Sequence, residues 1–376
     1  MNERSLPRIL IISAGYGEGH NSAAKGLAEA LKGVAHVRVT DVCQEAMPKT
    51  FKLTRSGYLW MISRVPWLWK IFYQVSDRVD MSRGGAGPLA PIERKLESLM
   101  KEWQPDVLVS TYMVYPYMLD RIAKRRAKRV PYMTVVTDSI VINKSWLCCN
   151  SDLWCVTDLW TCEEMERRGV PSGKIRVTGF PVSPHLSEAV KGGSGDSWKP
   201  GEAFRVLYFP QGKPAGAADD LDAIFKAGDD VRVTCILGRR FRAVYPHIRE
   251  MRKRYGSRLL IRGWTRRIPE YLASHHLVVG KAGGATVHEV LAAGRPMLVN
   301  YLLPGQEEGN CLLLERLNAG EYVPHSSGLT KALSALMCDG GSLWNERRES
   351  LKCASMTGGA SAIAGFALQL AAERGK

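Results

Sequence analysis

Two glycine-rich turns carry the residues best suited to chemistry. The first, GYGEGH at Gly15 to His20, ends in an imidazole, a group that titrates near neutrality and can take a proton from a hydroxyl. A histidine at a helix start also serves to hold a ligand by hydrogen bonding, so base and positioning roles both fit His20. Asp138, in VVTDS, offers a carboxylate as partner or alternative base. The second turn, KAGGATVHE at Lys281 to Glu289, puts Gly283 and Gly284 where backbone N–H groups and a helix dipole would meet a diphosphate without requiring a metal. Thr286 and Glu289 have the spacing of a capping box, in which the glutamate folds back onto its own helix. PGQEEGN, Pro304 to Asn310, opens a further helix, and Glu307 and Glu308 read as acids at its N-terminus.

The elements around these turns are readable from pattern. RILIIS, Arg8 to Ser13, is a short buried strand, and Ala23, Ala24, Leu27 and Leu31 mark one face of the helix that follows. A dehydrogenase-type dinucleotide site is the alternative, with Asp41 where a ribose-binding acid should stand. The spacing argues against it: Gly15, Gly17 and Gly19 fall two apart, and Glu18 would repel a pyrophosphate. In the second half HLVVG is a strand, Thr286 to Ala293 a helix closed by Gly294 and Pro296, and Met297 to Tyr301 the next strand. Strands and helical stretches alternate in both halves, which predicts an α/β protein with a parallel sheet in each: two Rossmann-like domains facing a central cleft. Residues 1–182 form the expected first domain, the glycine- and serine-rich stretch 183–200 a linker, 201–354 the second domain, and 355–376 a C-terminal helix.

In their order and spacing, SAGYGEGHNSAA, VVTDSIVINKSW, VTGFPV, GWTRRIPEYLASHHLVVGKAGGATVHEVLAAGRP and PGQEEGN resemble a glycosyltransferase family. It contains the monogalactosyldiacylglycerol synthases and bacterial processive diacylglycerol glucosyltransferases. The transferase that adds N-acetylglucosamine to the undecaprenyl-linked peptidoglycan precursor is a more distant relation. The likeness spans most of the chain, and GEGHNSA with PGQEEGN favours the glycolipid branch. It implies a GT-B type fold whose C-terminal helix returns to the first domain. It also implies that the His20 loop, with Gly17 and Gly19, faces the acceptor. On the donor side the resemblance places Glu289 on the ribose, Gly263 and Trp264 at the uracil, and Gln306 with Glu307 on the hexose hydroxyls; Gly283, Gly284, Thr286 and Asn310 complete that site. Relatives carry a histidine shortly after the aspartate of VVTDS. Here Asn143 and Trp146 stand in that stretch, so that role is not transferred.

Transfer from a nucleoside diphosphate sugar needs its leaving diphosphate stabilised and its acceptor hydroxyl deprotonated. Metal-dependent transferases often use an Asp-x-Asp pair; Asp220 and Asp222 have that spacing but read as acids near a helix start. The expectation is therefore no obligatory metal and no cofactor, with a UDP-sugar (UDP-glucose or UDP-galactose) as donor. Nine cysteines show no zinc-site spacing and read as reduced thiols of a cytosolic enzyme.

The acceptor side is suggested by charge and aromatics. Lys and Arg total 52 against 37 Asp and Glu, and RIAKRRAKR, with Arg125, Arg126, Lys128 and Arg129, is a basic stripe that would attract an anionic lipid surface. A solvated helix end is the plainer account of the stripe, and no motif supports nucleic-acid binding. YLWMISRVPWLWKIFY groups Trp60, Trp67 and Trp69 with cations, the mixture of a membrane interface, or of a helical lid over the first domain. No signal peptide or membrane span is evident. The expected activity is inverting hexosyl transfer from the UDP-sugar to diacylglycerol or a glycosyl-diacylglycerol by a peripheral enzyme at the inner membrane face. The alternatives are N-acetylglucosaminyl transfer to a polyprenyl-linked acceptor, or an inactive nucleotide-binding protein of the membrane surface.

Overall fold

In β1 (Arg8–Ser13), Ile9, Leu10, Ile11 and Ile12 are all fully buried. A strand that is apolar on both faces must be covered on both, which makes it central in a parallel sheet. Its neighbours are β2 (His36–Asp41) and β3 (Val107–Ser110); β4 (Tyr132–Val135), β5 (Leu153–Val156) and β6 (Ile175–Val177) follow. The order is β2-β1-β3-β4-β5-β6, and every pairing is parallel. A second parallel sheet is built from β7 (Phe204–Tyr208), β8 (Val231–Ile236), β9 (Leu259–Arg262), β10 (Leu277–Lys281), β11 (Met297–Tyr301) and β12 (Gly320–Tyr322), in the order β12-β11-β10-β7-β8-β9. This computed structural model describes residues 6–78, 87–125, 128–305, 307–354 and 357–374.

Strand order reverses between β1 and β3 in the first sheet and between β7 and β10 in the second. Ligands of open parallel sheets gather outside the carboxyl ends of the strands at such reversals. The loops leaving β1 and β10 are the two glycine turns, so the topology puts both at the favoured position of their sheet.

The chain forms two compact units: Met1–Pro184 with Pro304–Gly309 and Gly358–Lys376, and His185–Leu303 with Asn310–Thr357. In the first, the C-terminal helix Gly359–Arg374 packs Ile363, Ala364 and Ala367 among Ile9, Ile11, Leu27 and Leu31. VTGFPV is the seam under it. A Cβ at Gly26 would lie 2.1 Å from the Pro181 carbonyl oxygen, and one at Gly359 would lie 2.4 Å from that of Phe180. Only glycine permits these approaches.

Of the expected linker, residues 183–200, positions 183 and 184 close the first unit and 185–200 are built into the second. Trp198 is buried with its ring 5.0 Å from Phe204. Fully buried Arg295 donates to the carbonyl oxygens of Gly195, Leu272 and Ala273 and to the Asp196 carboxylate at 2.7 Å. A Cβ at Gly193 or Gly195 would come within 2.3 Å of a carbonyl oxygen. The glycines that suggested flexibility are there for close backbone approach.

Candidate active site

His20 lies on the first turn of the helix Glu18–Ala30, directly beyond β1, and is 6% exposed. Its Nδ1 is 2.7 Å from the carbonyl oxygen of Thr111, at the end of β3, and 3.0 Å from Thr137 Oγ1. A carbonyl only accepts, so Nδ1 carries the proton and Nε2 keeps the lone pair. Thr111 Oγ1 in turn donates to the His20 backbone carbonyl, locking the ring's base to the neighbouring strand loop. Burial pushes the His20 pKa down to about 4, the Thr111 bond opposing. The imidazole is therefore neutral near pH 7 and presents an acceptor nitrogen. Gly15 N donates to Asp41 Oδ2 at 2.7 Å, and Asp41 also caps the helix Val42–Ala46 through Gln44 N. Asp41 thus holds the glycine turn, which removes it from the ribose-binding role of the dehydrogenase alternative.

Asp138 is also buried, with Trp146 Nε1 donating to its Oδ2 at 2.7 Å. Burial raises its pKa to about 6; the Trp146 bond opposes this and the Glu307 charge adds to it. Its carboxylate meets Trp146, and His20 is oriented by Thr111 and Thr137, so the two are not a hydrogen-bonded pair. Ile140, two residues on, has φ +56°, a strained conformation for a β-branched residue, fixed by Thr161 Oγ1 accepting from Ile140 N at 2.7 Å. Glycine in PGQEEGN is needed beside it, because a Cβ on Gly309 would meet the Ser139 carbonyl oxygen at 1.8 Å. Pro304–Gly309 thus belongs to the first unit, and buried Glu307 places its charge on Asp138. Gln306 lies outside the described residues.

The donor-side candidates other than Gln306 and Glu307 lie in the second unit. The helix Gly284–Ala292 begins directly behind Gly283, its N-cap, and Val287 N bonds to the Gly283 carbonyl at 2.9 Å. Thr286 is consequently the third residue of the helix and Glu289 the sixth. The capping box is not formed, because the paired glycines let the helix start earlier than the Thr-x-x-Glu spacing implied. The first N–H groups of the helix have no intrahelical partner, the usual setting for an anion. Asn310, 2% exposed, donates from Nδ2 to the Ala282 carbonyl at 3.0 Å and so braces the glycine turn. Gly263 follows β9, and Trp264 is 60% exposed with the Arg266 guanidinium 5.5 Å above its ring. Asp220 accepts from Tyr208, Asn300 and Ser326, and Asp222 from Arg254 and Tyr255. Both are structural acids on the helix Gly216–Phe225.

With this geometry stands a match of residues 20–182 to the family described as monogalactosyldiacylglycerol (MGDG) synthase. The processive diacylglycerol beta-glucosyltransferase of Bacillus subtilis (strain 168) is 24% identical over 337 residues, covering 88% of this chain and 87% of the relative. The protein of the same description from Bacillus licheniformis is 24% identical, covering 94% and 93%. Over most of its length the chain is similar to these transferases. Solved structures share the fold: Acinetobacter baumannii MurG at TM-score 0.63 and 13% identity, covering 96% of this chain and 99% of that one, and a Polygonum tinctorium UDP-glucosyltransferase at 0.63 and 12%, covering 98% and 99%. The architecture is thus that of GT-B glycosyltransferases.

The aromatic segment forms two helices, Pro48–Arg64 and Pro66–Arg78. The second is turned with apolar side chains outward: Trp67 63%, Leu68 40%, Ile71 48%, Phe72 55% and Val75 53% exposed. These positions fall on one helical face. Its inner face carries Trp69 and Tyr73, and Trp60 of the preceding helix is 60% exposed. The three tryptophans therefore divide between surface and interior. Neither helix, nor any other among the described residues, is long and apolar enough to cross a membrane.

The basic stripe is less available than its sequence suggested. Buried Glu93 accepts from Arg121 at 2.9 Å and Arg125 at 2.5 Å, and Arg129 pairs with Asp152 at 2.6 Å. These arginines tie together elements of the first unit, which lowers their share in any lipid attraction. Lys128 is exposed, and Arg126 lies outside the described residues.

Proposed function

We propose that this chain transfers glucose or galactose from a UDP-sugar, with inversion, to the free hydroxyl of a diacylglycerol-type lipid while seated on a membrane surface. The observation that carries the reading is the outward apolar face of Trp67, Leu68, Ile71, Phe72 and Val75, in the same unit as His20 and Asp138. An exposed contiguous apolar face marks a surface that meets a nonpolar phase or a partner. The family match and the Bacillus relatives, named for diacylglycerol glucosylation, support a lipid acceptor.

In this reading His20 Nε2 accepts the acceptor's hydroxyl proton, and the neighbouring Asp138 carboxylate stabilises the positive charge that develops. In the second unit the Gly283–Gly284 turn receives the diphosphate, and Glu289 holds the ribose. Lipid access comes from the apolar helix, with anionic headgroups met at the inner membrane face by the chain's excess of cations. Purified protein given labelled UDP-glucose or UDP-galactose and vesicles containing diacylglycerol tests the proposal. Labelled glycolipid supports it, and label released only as free hexose, or none at all, contradicts it.

A further inference from the structure

The inner face of the helix Pro66–Arg78 carries two hydrogen-bond donors one turn apart. Trp69 Nε1 and Tyr73 Oη are both buried, and neither has a hydrogen-bond partner among the described residues. They lie one helical turn apart, with ring centroids separated by 6.4 Å. Tyr73 is 9% exposed as a whole residue. Leaving one buried donor unmet is costly to a fold, and two on one helix turn need a reason.

Their surroundings point to that reason. The backbone here is firmly fixed: Asn143 Nδ2 donates to the Tyr73 carbonyl and to Ser76 Oγ, and a Cβ on Gly305 would meet the Tyr73 ring at 2.9 Å. Burial first, and Asp138 foremost among the charges, holds the Tyr73 phenol well above its ordinary pKa. A line of ring contacts leads from the outward face to the base: Phe72 to Trp69 at 5.4 Å, Trp69 to Tyr58 at 5.0 Å, Tyr58 to Tyr16 at 6.4 Å, Tyr16 to Tyr112 at 6.0 Å, and Tyr112 to His20 at 5.1 Å. The same helix borders a cavity of about 510 Å³ to which Tyr73, Gln74, Ile142 and Gly305 contribute, together with the charged Lys70, Asp77, Arg78, Glu164, Arg168 and Glu308, so its polar side suits the headgroup end of a ligand. Two donors without acceptors, set between an apolar surface and a buried imidazole, match a molecule that is oily at one end and rich in acceptor-only oxygens in the middle. The ester carbonyls of a glycerolipid are such oxygens.

We propose that Trp69 Nε1–H and Tyr73 Oη–H are positioning residues that bind the ester oxygens of the acceptor lipid's glycerol backbone and so direct its free hydroxyl toward His20. This rests on the diacylglycerol reading above. It adds a selectivity that reading does not require: discrimination between ester-linked and ether-linked glycerolipids.

The test uses the full chain, UDP-glucose and UDP-galactose, and two acceptors, 1,2-dioctanoylglycerol and its diether counterpart 1,2-di-O-octylglycerol. The wild type should prefer the diester by about tenfold in kcat/KM, the scale of one or two hydrogen bonds. Tyr73→Phe and Trp69→Phe should each raise KM for the diester about five- to tenfold and leave the diether and the affinity for UDP unchanged. Because the phenol has no protein acceptor, Tyr73→Phe should also keep or raise the melting temperature, an effect that a structural hydroxyl would reverse. Equal use of both lipids by the wild type, a diester preference that survives both substitutions, or a fall in melting temperature with unchanged KM would each overturn the assignment. A wild type that uses neither lipid with either donor would instead overturn the glycolipid reading itself, and this assignment with it.

Discussion

Removing Trp67 and Ile71 together isolates the membrane role of the outward face. Both side chains point away from Trp69 and Tyr73, and they are 63% and 48% exposed. Fully burying a large apolar side chain contributes about 1.5 to 3 kcal/mol, so moving these exposed portions into lipid contributes about 1.5 to 3.5 kcal/mol for the pair. Trp67→Ala with Ile71→Ala should accordingly weaken vesicle partitioning by roughly 10- to 300-fold. Substitutions at exposed positions usually change stability by less than about 0.5 kcal/mol, so the melting temperature should hold. Affinity for UDP should hold as well, because the residues proposed to bind diphosphate and ribose belong to the other unit. Sedimentation with neutral and with anionic vesicles, at low and high salt, separates the apolar contribution from the charged one. Unchanged partitioning of the double variant into both vesicle types would refute the idea that this face meets lipid.

Glu289→Ala should weaken UDP-sugar binding by about 1 to 3 kcal/mol, measured by calorimetry. Since the glutamate sits at the sixth helical position, no capping contribution should appear in the melting temperature; a stability loss with unchanged donor affinity would reverse that assignment. His20→Ala should lower turnover about 100-fold or more while donor affinity persists. The acid limb of kcat should fall near pH 6, where Asp138 takes up its proton, and Asp138→Asn should remove that limb. Arg125→Gln and Arg129→Gln should each cost about 1 kcal/mol of stability through their lost carboxylate partners and change vesicle binding far less than loss of Trp67 and Ile71. His20 and His288 have folded pKa values near 4 and 3, below the ordinary 6.5, so the unfolded chain binds protons that the folded one refuses. Their contribution to stability is complete above pH 6.5 and is lost as pH falls toward those values, an effect a melting series in pH would register.

Much of this organisation was legible because glycines and apolar runs have few uses. RILIIS leads into GYGEGH, and LVVGK into AGGATVHE; such strand-to-turn junctions at switch points of parallel sheets follow from local pattern alone. What escaped the sequence depended on distant partners. The stretch 183–200 reads as a linker because its glycines are indistinguishable from flexible ones until the carbonyls of Ala273 and His275 appear beside them. Thr111 and Thr137 orient His20 from 91 and 117 residues away, and only the VVTD context placed one of them near a candidate acid. Trp146 was visible as a departure from the relatives, but not as the donor to Asp138. RIAKRRAKR invited an electrostatic reading because its partners, Glu93 and Asp152, belong to other segments. The Thr286-to-Glu289 spacing fitted a cap, yet the glycine pair ahead of it decided where the helix begins.

The most direct test of the central claim is transfer itself. Purified protein is incubated with radiolabelled UDP-glucose or UDP-galactose and vesicles holding diacylglycerol, with and without EDTA, and the lipid fraction is extracted and counted. The account predicts labelled glycolipid with a β-linked hexose from an α-linked donor, formed equally well in the presence of the chelator and reduced about 100-fold or more in the His20→Ala protein. Absence of lipid-borne label from both donors, or turnover that EDTA abolishes and magnesium restores, would contradict it.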